Sequence, residues 1–277
     1  MRSRRCVGEA PPPVACGRWP GNSTEPHRVR LLDADSDLGA DLSPAEFELA
    51  RRYAVIDVAS LRPGVHDPWT ISSADLLGLL VIEGTLIRRV QVAERRCGEL
   101  VGPGSIVRPW DHFGEHAPLP FEVSWRVIEP VVVGLLDLQL INVGARCPQL
   151  IHGILRRAIE RSYALALDVA IHTLQHLELR LLVLFWHLAD RFGRVTAEGI
   201  IIPLRLSHSD IAELIGSQRP SVSVRLSALA KRDVLIRRRD RTWMLHGEAH
   251  AELRDVRANA DELRKRQGLD QAISRPA

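Results

Sequence analysis

The sequence predicts an α+β fold, with an N-terminal jelly-roll-like β-roll, a long helix and a C-terminal winged helix-turn-helix. Three observations lead to this prediction. Short β-branched and aliphatic segments separated by turn residues fill much of the first half of the chain. An apolar stripe at helical spacing follows over residues 151–177. Two short helical patterns and a basic hairpin then occupy residues 204–245.

The composition is that of a globular chain, and its 277 residues suit two modest domains. The longest apolar runs, residues 76–82 and 181–186, are far shorter than the roughly 20 residues of a membrane helix. We therefore expect a cytoplasmic protein with no membrane partner. Four cysteines are too scattered for a disulfide scaffold or a clustered iron-sulfur site, and no cofactor is expected. They are Cys6, Cys16, Cys97 and Cys147.

The N-terminal segment, residues 1–45, is predicted to be a disordered leader. Residues 1–27 are rich in Pro, Gly and Arg and contain three consecutive prolines, with no apolar run of signal-peptide length. Ser43 is a candidate N-cap and Pro44 suits the first helical position, so a short helix is predicted to begin there.

Residues 46–145 are predicted to form the β-roll. The aliphatic stretch 76–92 is interrupted by Glu83 and Gly84, which indicates a strand, a tight turn and a second strand. Gly102-Pro103-Gly104 marks another turn, and residues 123–128 and 131–136 are candidate strands. Several short strands at close spacing favour a small roll or barrel.

Residues 146–192 are predicted to be helical, and the first helix carries the apolar stripe over residues 151–177. At 1.5 Å per residue this helix is about 40 Å long, more than one small core covers. We therefore predict that it pairs with the same helix of a second copy. The alternative is a single core helix packed on the roll. The predicted dimer contacts are Ile151, Leu155, Ile159, Leu167 and Leu174.

Residues 193–250 are predicted to be a winged helix-turn-helix. Ser207 and Asp210 have the spacing of a capping box, and Gly216 supplies the left-handed residue that ends the first helix. Pro220 is tolerated in the first turn of the second helix. The buried face of that helix is predicted to consist of Val222, Leu226 and Leu229. Residues 251–277 form a charged tail for which a helix and disorder fit equally well.

The outward side chains of this region are of the types that contact DNA. Arg pairs with guanine, Gln with adenine, and Ser with phosphates or base edges. Residues 204–246 contain nine Lys or Arg and four acids, a net charge of +5 in a chain whose total is +3. The predicted DNA contacts are Ser207, Gln218, Arg219, Ser221, Arg225 and Arg232, with Arg237, Arg238, Arg239 and Arg241 in the wing.

The stretch LSHSDIAELIGSQRPSVSVRLSAL resembles the second domain of the cyclic-AMP receptor and fumarate-nitrate regulator (Crp/Fnr) family of bacterial transcription factors. The resemblance covers residues 49–247. It implies a homodimeric, non-enzymatic regulator of an inverted-repeat operator, with RNA polymerase and a small-molecule effector as further partners. It also implies that Arg219 contacts a base and Ser221 a phosphate. Pro220 and Val224 depart from the family pattern, so the family's best-known operator is not expected.

The segments LLVIEGTLIRRVQV and LVGPGSIV resemble the sensor roll of the same family, whose members often bind a cyclic nucleotide. Such a pocket needs a Gly-Glu pair and, shortly after it, an Arg with a Ser or Thr for the phosphate. Gly114 and Glu115 are present, but no Arg follows before Arg126. We therefore expect no cyclic-nucleotide binding, and the effector stays unidentified.

Two other functions remain open from the sequence. His112, Glu115 and His116 match the H-x-x-E-H zinc pattern, so a metal-binding roll enzyme or sensor is the alternative. That pattern works on a helix, whereas Gly114 and nearby prolines favour a loop. The other alternative is a protein-binding winged helix, which requires an apolar outer face on the second helix; the sequence predicts a polar one.

Overall fold

The structure, a computed structural model, describes residues 27–71, 76–108 and 121–247. It divides into two compact units between Tyr163 and Ala164. The strands are β1 (His27–Arg30), β2 (Val55–Leu61), β3 (Gly64–His66), β4 (Leu76–Val92), β5 (Arg95–Val101), β6 (Ile106–Val107), β7 (Phe121–Asp137), β8 (Arg194–Thr196), β9 (Gly199–Ile202), β10 (Leu235–Arg237) and β11 (Trp243–Leu245). The helices are α1 (Leu31–Ala34), α2 (Pro44–Tyr53), α3 (Gln139–Gly144), α4 (Pro148–Thr173), α5 (Leu177–Phe192), α6 (His208–Leu214) and α7 (Arg219–Lys231).

The N-terminal unit is built on one antiparallel sheet in the order β1-β2-β7-β4-β5, with β3 paired to β7 and β6 paired to β4. The two 17-residue strands β4 and β7 pair along their whole length, from Leu76 opposite Asp137 to Val92 opposite Phe121. Apolar side chains fill the interior, among them Trp125, Leu79 and Leu86, which are fully buried. The predicted α+β class with an N-terminal β-domain is confirmed.

The predicted tight turn at Glu83 and Gly84 is wrong. Strand β4 runs through both residues, and its register against β7 shifts between Val81 and Leu86, so the chain bulges instead of reversing. Gly84 has φ +80°, and a Cβ there would lie 2.0 Å from the carbonyl oxygen of Pro130. Only glycine fits this close approach of the two strands. Similarly, the two strands predicted at 123–128 and 131–136 are one strand, β7.

The predicted leader is also wrong for residues 27–45, which have defined structure. Strand β1 pairs with β2, and Leu31, Leu32 and Leu38 are buried in a cluster with residues of β2, β4 and α4. Ser43 and Glu46 form the capping box that begins α2, with Pro44 in the first turn as predicted. Ordering of this segment follows from burial of its leucines, which offsets the entropy cost of fixing the backbone.

Charged side chains attach α4 to strands β4 and β5 and to the residue that follows α1. Arg161 donates to both carboxylate oxygens of Glu99, at 2.7 and 2.9 Å, and Arg88 approaches the same carboxylate at 3.2 Å. Glu99 is only 9% exposed, so its charge needs these two partners. Arg157 pairs in the same way with Asp35, at 3.2 Å.

The long helix is shorter at its C-terminal end than predicted. Helix α4 ends at Thr173, and α5 begins at Leu177, so Leu174 lies in the connection instead of on a continuous helix. Its 26 residues still give a length of about 39 Å. Within the described ranges, no helix combines the length and apolarity that crossing a membrane requires.

The C-terminal unit joins the helix-turn-helix to a four-stranded antiparallel sheet in the order β10-β11-β9-β8. Strands β8 and β9 form an antiparallel hairpin, and β10 and β11 form the basic hairpin that the sequence predicts. Trp243 on β11 is 1% exposed; its ring lies 5.0 Å from that of Phe185 on α5, and its Nε1 donates to the carbonyl of Leu206 at 3.3 Å. The sheet, α5 and the segment before α6 therefore share one core.

Candidate nucleic-acid interface

Helix α6 begins at the capping box that the sequence predicts. The backbone N–H of Asp210 donates to Ser207 Oγ at 3.2 Å, and the backbone N–H of Ser207 donates to Asp210 Oδ2 at 2.9 Å. The Ser207 hydroxyl is itself 2.6 Å from Asp210 Oδ2. A serine hydroxyl has one proton to donate, and this geometry directs it to Asp210. Ser207, a predicted DNA contact, therefore acts here as a cap and not as a donor to phosphate.

The turn between the two helices is fixed by hydrogen bonds to the end of α6. Gly216 has φ +60°, as predicted, and the N–H of Ser217 donates to the carbonyl of Ala212 at 2.9 Å. His172 Nε2 lies 2.8 Å from the carbonyl of Leu214. Because carbonyl groups at a helix end lack partners within the helix, these contacts hold α6 and the turn in one position.

Helix α7 is held by its buried face and presents the opposite face to solvent. Val222, Leu226 and Leu229 are 0–3% exposed, as predicted. Gln218 is the N-cap residue, in an extended conformation without a side-chain cap. The four predicted contacts on this helix and its cap are all exposed, namely Gln218, Arg219, Ser221 and Arg225.

One exposed position of α7 is apolar within the outer face that the sequence predicts to be polar. Val224 is two residues from both Val222 and Leu226, and at about 100° per residue it points away from the buried side. Its exposed fraction is 66%, and Pro220, one turn earlier, is also exposed. Arg219 and Arg225 flank this apolar centre. Pro220 and Val224 therefore form a short apolar ridge on a surface that also carries Ser227 and Lys231.

The wing hairpin is closed by its own polar groups. Asp240 accepts from the backbone N–H of Thr242 at 3.0 Å and lies 2.6 Å from its hydroxyl. These bonds, the side-chain bond first, lower the pKa of Asp240. Arg241 adopts φ +71°, so the tip is tightly turned and both Arg239 and Arg241 are exposed there. Arg238 instead lies 3.3 Å from Asp240 Oδ2 and is partly buried.

Two other predicted arginines have contacts within the domain. The guanidinium of Arg237 lies 5.9 Å from the centre of the Trp243 ring, a cation–π arrangement that leaves the residue exposed. Arg232 pairs with Glu178 of α5. That pair fastens the end of α7 to α5, so Arg232 has a structural partner that its sequence position did not reveal.

The structure adds His208 and Ser223, which the sequence did not single out. His208 Nδ1 lies 2.9 Å from Ser223 Oγ, joining the first turn of α6 to α7. Burial lowers the pKa of His208, and the charges of Arg237 and Arg219 lower it further. The neutral ring is therefore the form that fits this site. Only the pairing of α6 with α7 brings these two side chains together.

We expect His208 to make the stability of this unit depend on pH. Its pKa in the folded protein lies below the ordinary value of 6.5, so its contribution is present above pH 6.5 and is lost as pH falls through the folded pKa. The free energy of unfolding should fall less between pH 7.5 and 5.5 in His208→Gln than in wild type. Urea midpoints at the two pH values measure this difference.

His187 provides the internal control, because burial, then Arg191, also lower its pKa while Asp190 opposes them. His187 is present in both wild type and His208→Gln, so its effect on the free energy of unfolding cancels when the two are compared. An equal loss of stability in wild type and His208→Gln would show that other groups produce the acid sensitivity.

The predicted dimer residues divide into two groups. Leu155, Ile159 and Leu167 lie on α4 and are 55%, 46% and 37% exposed. Ile151 instead packs within the N-terminal unit, where a Cβ on Gly144 would lie 2.2 Å from its Cγ1. Leu174 follows the end of α4 and is partly buried. Tyr163, at 74% exposure, completes a stripe at four-residue spacing with the three exposed residues.

The candidate metal ligands His112, Glu115 and His116 lie outside the described residues, as does Gly114. Among the residues that are described, no group of three or more His, Cys, Asp or Glu is arranged to hold a metal ion. Cys97 is exposed and Cys147 is buried. Cys6 and Cys16 fall outside the described ranges.

Comparison with known proteins shows which family the helix-turn-helix region matches. Residues 179–249 match the family described as the Crp-like helix-turn-helix domain. No curated protein sequence matches the chain significantly.

Solved structures resemble the chain over most of its length. A CooA mutant from Carboxydothermus hydrogenoformans is 17% identical with a TM-score of 0.58, covering 82% of this chain and 94% of that one. A cyclic nucleotide-binding domain containing protein from Listeria monocytogenes EGD-e is 18% identical (TM-score 0.56; 76% and 96% covered). FixK2 from Bradyrhizobium japonicum is 16% identical (TM-score 0.53; 72% and 96% covered). The predicted resemblance is confirmed: residues 179–249 are a Crp-like helix-turn-helix domain, and the chain has the fold of the Crp/Fnr regulators.

Proposed function

We propose that the protein is a transcription regulator that binds double-stranded DNA sequence-specifically, as a homodimer, at an inverted-repeat operator. The Crp-like helix-turn-helix domain at residues 179–249 supports this proposal. The observation that carries the proposal is the presentation of α7. Three buried side chains and the capped turn hold it, while Arg219, Ser221 and Arg225 face solvent beside a basic wing.

The exposed arginines divide into two roles. Arg219 begins α7 next to the N-cap, the end of a recognition helix that meets base edges in helix-turn-helix proteins. Arg239 and Arg241 are at the tip of a turn, where a side chain reaches the phosphate backbone. Base contacts give discrimination between sequences, whereas phosphate contacts raise affinity for every sequence.

Two substitutions test these roles. Arg219→Ala should reduce specific affinity and relax discrimination at one base pair by about 1–3 kcal/mol, as for other bidentate contacts. Arg239→Ala should weaken binding to all sequences equally and reduce the salt slope by about one unit. Arg238 is less suitable because it already pairs with Asp240. The measurement is fluorescence-anisotropy titration on every single-base variant of an operator duplex, at several salt concentrations.

Arg95→Ala is the matched control, because Arg95 is an exposed arginine on β5 in the other unit. It should leave affinity, discrimination and salt slope unchanged. Uniform loss of affinity in both Arg219→Ala and Arg239→Ala would remove Arg219 from the base-reading residues.

The homodimer part of the proposal is supported by the exposed stripe on α4. Leu155, Ile159, Tyr163 and Leu167 recur every fourth residue and are 37–74% exposed in the single chain. Large apolar side chains concentrated on one helix face favour pairing with a second apolar surface. A second copy presents the same stripe, as a twofold interface requires. Two recognition helices held in this way would contact half-sites about 34 Å apart.

For the N-terminal unit we propose a sensor roll whose effector is not a cyclic nucleotide. The support is the sequence after Gly114 and Glu115, which contains no arginine before Arg126 to neutralise a cyclic phosphate. Arg126 lies within β7, opposite Ile87 of β4 and Val65 of β3. Contact with RNA polymerase is a further expectation that the family resemblance supplies.

One observation favours a different function for the same surface. Val224 at the centre of the outer face is what a protein-binding winged helix would present. Its neighbours argue against that function, because basic residues flank it on α7 and occupy the wing tip.

A further inference from the structure

We propose that Val224 is a specificity-determining residue that reads the 5-methyl group of a thymine at the centre of each half-site. This inference rests on the proposed function, since it assigns part of the sequence preference of the same surface. The observation that carries it is the 66% exposure of Val224 at the outermost position of α7.

Val224 has no structural reason to be apolar. It points away from the buried side formed by Val222, Leu226 and Leu229, so it contributes nothing to the core of the domain. A β-branched residue on an exposed helix face is also slightly unfavourable for the helix itself. Exposure alone does not distinguish Val224, because Val195 and Val65 are also exposed; what distinguishes Val224 is its place on α7 between Arg219 and Arg225.

The chemistry of the major groove identifies the partner. Each A·T pair presents one apolar group there, the C5-methyl of thymine, and small apolar side chains contact it. The other groups on the base edges are hydrogen-bond donors and acceptors, which a valine leaves unsatisfied. Val224 therefore favours thymine and disfavours a base whose polar edge would be buried against it.

The basic flanks fix where this contact falls. Arg219 lies five residues before Val224 and Arg225 immediately after it, on the two sides of the apolar ridge. Arginine contacts to guanine or phosphate on both sides would place Val224 against base edges between them. Pro220, one turn before Val224, extends the same ridge and has no N–H that competes for polar groups.

The test removes only the methyl group. A duplex is first selected from a random library by the wild-type protein, and each thymine of a half-site is then replaced singly by uracil. At one position the replacement should reduce wild-type affinity roughly fourfold, the effect of losing one buried methyl group. Val224→Ser, which replaces the apolar side chain by a polar one, should bind the thymine and uracil duplexes equally. The measurement is a binding titration with both proteins on both duplexes.

Val195→Ala is the control, because Val195 on β8 is 84% exposed and lies outside α7 and the wing. It should keep the full difference between thymine and uracil. The inference is overturned if no position distinguishes uracil from thymine, or if Val224→Ser keeps the difference. If the wild-type protein selects no sequence at all, the proposed function itself fails, which is a separate outcome.

Discussion

Replacing Trp243 by Ala should destabilise the C-terminal unit by about 3–5 kcal/mol, the cost of deleting a large buried aromatic side chain. Trp243 is 1% exposed, its ring packs at a tilt against Phe185 with the ring centres 5.0 Å apart, and its Nε1 donates to the carbonyl of Leu206 at 3.3 Å. It lies on β11 between β10 and β9, and it also supports Arg237 at 5.9 Å. Its removal should therefore loosen the wing, α5 and the start of the helix-turn-helix together.

Hydrogen exchange detects this loss where it occurs. Backbone amides of α6, α7 and β9 should exchange about 10²-fold to 10³-fold faster in Trp243→Ala, while those of β4 and β7 should keep wild-type protection. Trp243→Phe is the matched variant, since it keeps an aromatic ring and loses the bond to Leu206, at a cost of about 1–3 kcal/mol. Equal exchange in wild type and Trp243→Ala would mean that Trp243 does not hold this unit together.

The parts of the fold that were predictable from sequence are those fixed by neighbouring residues. Ser207 with Asp210 and Ser43 with Glu46 form capping boxes over three residues. Gly216 ends α6 because the chain must turn there with positive φ. The buried face of α7 follows from spacing alone. Each of these features depends on a few consecutive residues, so a pattern of residue types is enough to find it.

The features that the sequence concealed depend on distant partners. Glu83 and Gly84 have the composition of a turn, but pairing with Pro130 and its neighbours keeps the chain in one bulged strand. Residues 27–45 contain few periodic signals, yet Leu31 and Leu38 are buried by elements far along the chain. No local pattern distinguishes a turn from a bulge when the partner strand decides between them.

The candidate interface shows the same division. The exposed positions of α7 were predictable because the helix has one buried face. The pairing of Arg232 with Glu178, 54 residues away, could not be predicted from the sequence. The contact between His208 and Ser223 could not be predicted either. Two residues of equal type on the same surface, Arg232 and Arg225, therefore differ in role because only one has an acidic neighbour from α5.

In the proposed homodimer, the stripe on α4 has the largest consequence for function. A charge buried in a twofold interface meets the same charge of the partner, so one substitution introduces two uncompensated groups in an apolar surface. The loss of the dimer then removes the second recognition helix. Specific binding is typically 10³-fold to 10⁷-fold tighter than non-specific binding, and a protein that contacts one half-site forfeits much of that difference.

Ile159→Glu should therefore yield a monomer with unchanged secondary structure and an operator affinity reduced by roughly 10³-fold or more, leaving weak and salt-sensitive association. Leu167→Glu should have the same effects, because Leu167 continues the same stripe two turns later.

Val65→Glu is the control, because Val65 on β3 is 65% exposed and the substitution places the same charge at an apolar surface position outside α4. Sedimentation velocity, circular dichroism and operator titration measure the three properties. If Ile159→Glu remains a dimer with wild-type affinity, the stripe on α4 is not the dimer interface. The dimer that sets a half-site spacing of about 34 Å must then form through another surface.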